Sequence, residues 1–226
     1  MKKLGLVLGV LTMLAAQNLF AAMVTLSEIG VGNATGGGLF QAVTTDNGTF
    51  DTFCLSINTE FSPGTPYNYS VSPAIVYSPP PAGYPSTPPT YITYGAAYIY
   101  NQFLNGNATY GGTHDGTTVN NVQYTIWYLQ GLLNPNYQDP RGYDYSSIVP
   151  TILLQLEADT HDTLAQLTAN GNGAFGVEAM NLHDGIYQPQ LIQVVPEPAA
   201  LTAAALLLML PLGASVQRIL RKSRTA

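Results

Sequence analysis

The 226-residue chain has a single cysteine, Cys54, in the stretch Phe50-Asp51-Thr52-Phe53-Cys54-Leu55-Ser56-Ile57-Asn58-Thr59-Glu60. Met1-Lys2-Lys3 followed by the apolar run Leu4 to Ala16 has the pattern of a secretory signal. An unpartnered cysteine in an exported chain is an intermolecular crosslink, an inert buried thiol or a reactive group. The familiar way to activate such a thiol is a neighbouring imidazole, and His114, His161 and His183 are the candidates. Thr160-His161-Asp162 falls on the polar side of a helical pattern, while His114 and His183 sit in Gly- and Asp-containing turns. These are settings of ordinary solvated histidines, which speaks against a cysteine hydrolase. The sequence has no His-Glu-x-x-His zinc motif, P-loop, Gly-x-Ser-x-Gly elbow or calcium loop. The expectation is therefore a non-enzymatic protein with no cofactor and no bound metal.

The elements that must position Cys54 follow from local patterning. Leu39 to Thr44 reads as a short strand, Asn47-Gly48 as a hairpin turn, and Thr49 to Ile57 as the returning strand that carries the thiol. Alternation places Phe50, Thr52, Cys54 and Ser56 on one face and Asp51, Phe53, Leu55 and Ile57 on the other, with the second face the expected core. Tyr67 to Val71 alternates like an edge strand. Six prolines between Ser78 and Pro89 predict an exposed, partly polyproline loop. Helical spacing then appears from Tyr91 to Leu104, ending at Asn105-Gly106, and again from Val119 to Leu133. The second helix has the apolar stripe Val122, Ile126, Leu129 and Leu133, flanked by Gln123, Trp127 and Gln130. A glutamine on such a border commonly has its amide satisfied by backbone or water. A third helical signal spans Ser147 to Asn170, through Ile152, Leu156, Leu164 and Leu167. Val177 to Leu182 and Ile186 to Val195, joined by His183-Asp184-Gly185, read as a closing antiparallel hairpin. The predicted class is α+β, an antiparallel β-sheet or sandwich with a helical insertion.

Composition narrows the function. Hydrophobic residues make up 46% of the chain and charged residues only 9%, against roughly 25% in an ordinary soluble domain. Between residues 23 and 195 Arg141 is the only Lys or Arg and faces twelve carboxylates, a net charge of −11. Such a surface repels phosphate backbones, so nucleic-acid binding is excluded.

At the C-terminus, Val195-Pro196-Glu197-Pro198 leads into an uncharged run from Ala199 to Gln217 and then to Arg218, Arg221, Lys222 and Arg224. That run is long enough to span a bilayer as a helix, and the basic end predicts a cytoplasmic terminus. In order and position the last 32 residues resemble the PEP-CTERM sorting tail of Gram-negative bacteria. The resemblance implies an exosortase-type processing enzyme as partner, inner-membrane anchoring before removal of the tail, and delivery to the cell surface or extracellular matrix. A permanent membrane anchor is the competing reading. Three regions are expected: a signal peptide over 1–22, with an uncleaved anchor as its alternative, a globular ectodomain over 23–194 and the sorting tail over 195–226.

Over roughly residues 40 to 194 the ectodomain resembles the thioester domain of bacterial surface adhesins. The likeness is carried by Phe53-Cys54 with Asn58 and Glu60 after it, by Ala97 to Phe103, and by Gln123-Tyr124-Thr125-Ile126-Trp127. Thr125 stands where that family has a small alanine, and Leu55-Ser56 where it has Val-Glu. The resemblance implies an internal thioester between Cys54 and Gln123, with Phe53 and Trp127 supporting the site. A surface amine or polysaccharide hydroxyl would open it and become covalently attached. Arg141 or backbone amides near Cys54 are the candidates to polarise the carbonyl. The alternative is a non-covalent structural matrix or biofilm protein with an inert Cys54.

Overall fold

The computed structural model describes residues 22–31, 38–57, 59–76, 90–133 and 148–194. Six strands, β1 (Met23–Glu28), β2 (Leu39–Thr44), β3 (Gly48–Phe53), β4 (Pro66–Ser72), β5 (Val177–Leu182) and β6 (Gln190–Gln193), form one antiparallel sheet in the order β3-β2-β1-β4-β5-β6. Among the described residues four α-helices lie between β4 and β5: α1 (Tyr94–Leu104), α2 (Gly116–Leu129), α3 (Ile148–Thr160) and α4 (Leu164–Leu167). The helical insertion and antiparallel pairing match the sequence expectation, but a single sheet replaces the sandwich alternative.

The expected hairpin forms as β2 and β3, closed by residues 45–47 with Gly48 at φ 74°. A left-handed residue there is favoured as glycine, because a Cβ would clash with the backbone. Beyond Phe53 the strand does not continue to Ile57 as anticipated. The chain instead leaves β2 and meets the other end of the sheet: Cys54 bridges to Gln190, and Leu55 N donates to Pro189 O at 2.8 Å. Thr52 Oγ1 adds a bond to Leu191 O. The sheet therefore curls until its first and last strands touch, and Cys54 stands on the seam.

Several expectations change for the same reason, that tertiary pairing overrides local pattern. Met23–Glu28, too short to stand out within its Gly- and Thr-rich surroundings, is β1, with Val24 and Leu26 buried. β4 is an interior strand between β1 and β5. The Ser147 to Asn170 helix is interrupted: His161 takes φ 60°, and a capping box of Thr163 and Gln166 restarts the chain as α4. Ile186 to Pro189 lies outside β6, which begins at Gln190. α1 starts at Tyr94 rather than at the expected Tyr91, because Thr93 caps it, and it ends at Asn105 as its pattern indicates. α2 begins earlier than expected because the Asp115 side chain accepts from Thr118 N, and it stops at Gln130, so Leu133 lies beyond it.

β3 is exposed where it begins at Gly48 and Thr49, but from Thr52 through Leu55 the chain is buried on both faces. Phe53 and Leu55 join one core cluster with Tyr100, Phe103, Ile126 and Leu156, while Cys54 joins a second with Trp127, Tyr124, Met180 and Ile192. Helix α2 contributes to both, through Val122, Ile126 and Leu129 on one side and Tyr124 and Trp127 on the other. The expected amphipathic helix is thus buried on two sides. The Pro-rich segment, Arg141, the signal region and the sorting tail fall outside the described residues. Among the described residues no helix is long and apolar enough to cross a membrane.

Candidate functional site at the sheet seam

Cys54 is fully buried. Two side-chain amides converge on it, each from a different element. Gln123, on the inward face of α2, bonds the backbone of Cys54 at both ends: its Oε1 accepts from Cys54 N at 3.0 Å and its Nε2 donates to Cys54 O at 2.9 Å. It pairs with the chain as a neighbouring strand would. Gln190, the first residue of β6, reaches the sulfur itself, with Nε2 at 3.5 Å from Sγ, and also donates to Gln188 O at 3.2 Å.

The expected pair of Cys54 and Gln123 is therefore brought together, but with the amide turned to the backbone rather than to the sulfur. The reason lies in the exit from β3. Once Cys54 leaves the β2 ladder its N–H and C=O need partners, and Gln123 supplies both. The amide at the sulfur belongs to Gln190, a residue missed in the sequence. Its signal was there: a glutamine at the head of the apolar pair Leu191-Ile192 within an expected strand.

Burial pushes the Cys54 thiol up to about 12, although hydrogen bonds from Gln190 and from the backbone of Gly38 act in the opposite direction. The sulfur is thus protonated at neutral pH yet flanked by two N–H donors. None of the histidines is among its partners; His114 instead pairs with Asp51 at 2.8 Å. Phe53 points into the other core cluster, with its ring 4.9 Å from that of Phe103, and so supports the strand rather than lining the sulfur. Trp127 lies in the cluster that holds Cys54, 2% exposed. Among the described residues three buried side-chain atoms have no hydrogen-bond partner: Gln190 Oε1, Trp127 Nε1 and Asn120 Oδ1. No group of three His, Cys, Asp or Glu among these residues is placed to hold a metal.

No family model matches the chain, and no curated protein matches it. Among solved structures it is similar to the N-terminal thioester domain of fibronectin-binding protein SfbI from Streptococcus pyogenes. The identity is 15%, the TM-score is 0.47, and the match covers 80% of this chain and 97% of that one.

Proposed function

We propose that this is an exported attachment protein in which Cys54 and Gln190 form an internal thioester that captures a nucleophile of a partner surface. The observation that carries the reading is the 3.5 Å approach of the Gln190 amide to Sγ in a fully buried site. In the bond-forming step the sulfur attacks the Gln190 carboxamide carbon. The S–C bond forms, the C–N bond breaks, and the thiol proton leaves with the nitrogen as ammonia. Nε2, the atom next to the sulfur, is the one that must take that proton. A free amide is a poor electrophile, so the reaction depends on the two groups being held together, and fixed geometry supplies an effective molarity of about 10⁵ to 10⁸ M. Gln123 holds Cys54 at both backbone groups, and the seam holds Gln190.

A partner amine then attacks the thioester carbonyl, returns the thiol and leaves an amide joining partner and protein. Glu28, Glu60, Phe40 and Phe61 line a cavity of about 200 Å³ that also reaches Gln188, two residues before Gln190. Carboxylates and ring faces hold an amine in its protonated form better than a neutral hydroxyl, and the amine gives its extra proton to a carboxylate or to water before it attacks. Export through the signal region and sorting by the Val195 to Pro198 motif, with an exosortase-type enzyme and a membrane-bound intermediate, complete the proposal; these rest on the sequence resemblance. The test is the intact mass of the folded protein. It should be lighter by one ammonia and gain methylamine on treatment, and both properties should vanish in Cys54→Ala and in Gln190→Ala. A full mass and no adduct would leave a non-covalent matrix protein with an inert thiol.

A further inference from the structure

Acyl transfer to or from the Gln190 carbon places negative charge on Gln190 Oε1 in the tetrahedral intermediate, and such reactions need a donor aimed at that oxygen. Three backbone donors around Cys54 are already committed. Cys54 N–H is bound to Gln123 Oε1 and Leu55 N–H to Pro189 O, while the Gly38 amide serves the sulfur. Among the described residues Gln190 Oε1, which is buried, has no partner. Among the described residues one buried side-chain donor is also left without a partner, the indole Nε1 of Trp127. Native interiors pair such atoms as a rule, so an unmatched acceptor on Gln190 and an unmatched donor in the core cluster that holds Cys54 call for an explanation. Trp127 follows Gln123 by four residues on α2, which places the two side chains one turn apart on the same face, about 6 Å along the axis. Gln123 touches Cys54 directly, and Trp127 shares the core cluster of Cys54. Asn120 Oδ1, the third unmatched atom, is an acceptor and cannot stabilise negative charge.

We propose that the Trp127 indole N–H is the oxyanion donor for the Gln190 carbonyl, moving onto Oε1 as charge develops when the thioester forms and again when an amine opens it. This rests on the Cys54–Gln190 thioester and adds a named catalytic group to it. The step needs no base on the indole, because the N–H stays on nitrogen and only its hydrogen bond strengthens.

The test replaces Trp127 by β-(3-benzothienyl)alanine, which keeps the bicyclic shape and puts sulfur where the N–H was; Trp127→Phe is the conventional companion. The readout is the rate at which methylamine opens the preformed thioester, followed by mass. Loss of one oxyanion donor should slow opening by about 10²- to 10³-fold with the melting temperature of the isosteric variant near that of the parent. Slowed formation, or an analogue that keeps its fold and never loses ammonia, supports the same assignment. Opening at the parental rate in the isosteric variant would overturn it. Absence of a thioester in the unaltered protein is a different failure, that of the Cys54–Gln190 bond itself.

Discussion

Cys54 combines two properties that oppose each other: it is desolvated enough to hold its proton, yet its sulfur faces an amide. Burial raises the thiol from 9.0 to about 12, so deprotonation requires exposure or a reaction that removes the proton as the bond forms. In Gln190→Ala, where no thioester can form, the thiol remains and its linkage to folding is measurable. Unfolded chains lose the proton near pH 9 while folded ones keep it to about 12, so the folded state binds more protons between these values and stability falls as pH rises. Against the double variant Cys54→Ala/Gln190→Ala, the single variant should lose up to about 4 kcal/mol of stability across that window, read from denaturant midpoints. A difference that stays constant through the window would mean that the sulfur is not desolvated. Below pH 9 the same thiol should resist native-state titration with a disulfide reagent. The sequence revealed that this sulfur had no disulfide partner, but not its burial, because Thr52 and Ser56 on the same alternation made that face look polar.

Among the elements, one device recurs. Three buried amides each clasp an extended backbone: Gln123 at Cys54, Gln130 at Thr93 N and Tyr91 O, and Asn181 at Val76 N and Ala74 O. All three backbone segments lie beyond regular strand or before a helix, where ladder partners run out. In a domain with few charges, neutral amides take over the satisfaction of buried polar groups, and they do so without the desolvation cost of an ion. Removing one partner leaves two buried or part-buried backbone groups unbonded. Gln130→Ala should therefore destabilise the fold by about 2 to 6 kcal/mol, at about 1–3 kcal/mol for each group left unsatisfied. At about 2–4 °C per kcal/mol the melting temperature should fall by several degrees or more, while the mass deficit of the folded protein persists. Gln123→Ala should lose both stability and thioester yield, because its clasp fixes the reacting residue. Helices α1 and α2 and the β2–β3 hairpin were legible, since periodicity, Asn105-Gly106 and Asn47-Gly48 are local signals. The break at His161 was not, because the apolar spacing of Leu156, Leu164 and Leu167 continues across it.

For the molecule as a whole, the decisive feature is the closure of the sheet, which brings residues 136 apart in sequence to one sulfur. No local pattern encodes that meeting. Gln123 could be placed near Cys54 from short motifs, whereas Gln190 could be assigned only once β3 and β6 were seen to touch. A covalent joint at the seam would also lock it, since the chain-entropy model gives such a closure roughly 5 kcal/mol. The most direct measurement is tandem mass spectrometry of the folded protein digested at a mildly acidic pH that spares thioesters. A Cys54–Gln190 thioester predicts a crosslinked peptide pair lacking one ammonia whose fragments place the joint at these two residues, and a methylamine adduct on Gln190 after opening. A joint at Gln123, or linear peptides carrying a free Cys54 thiol and an intact Gln190 amide, would contradict it.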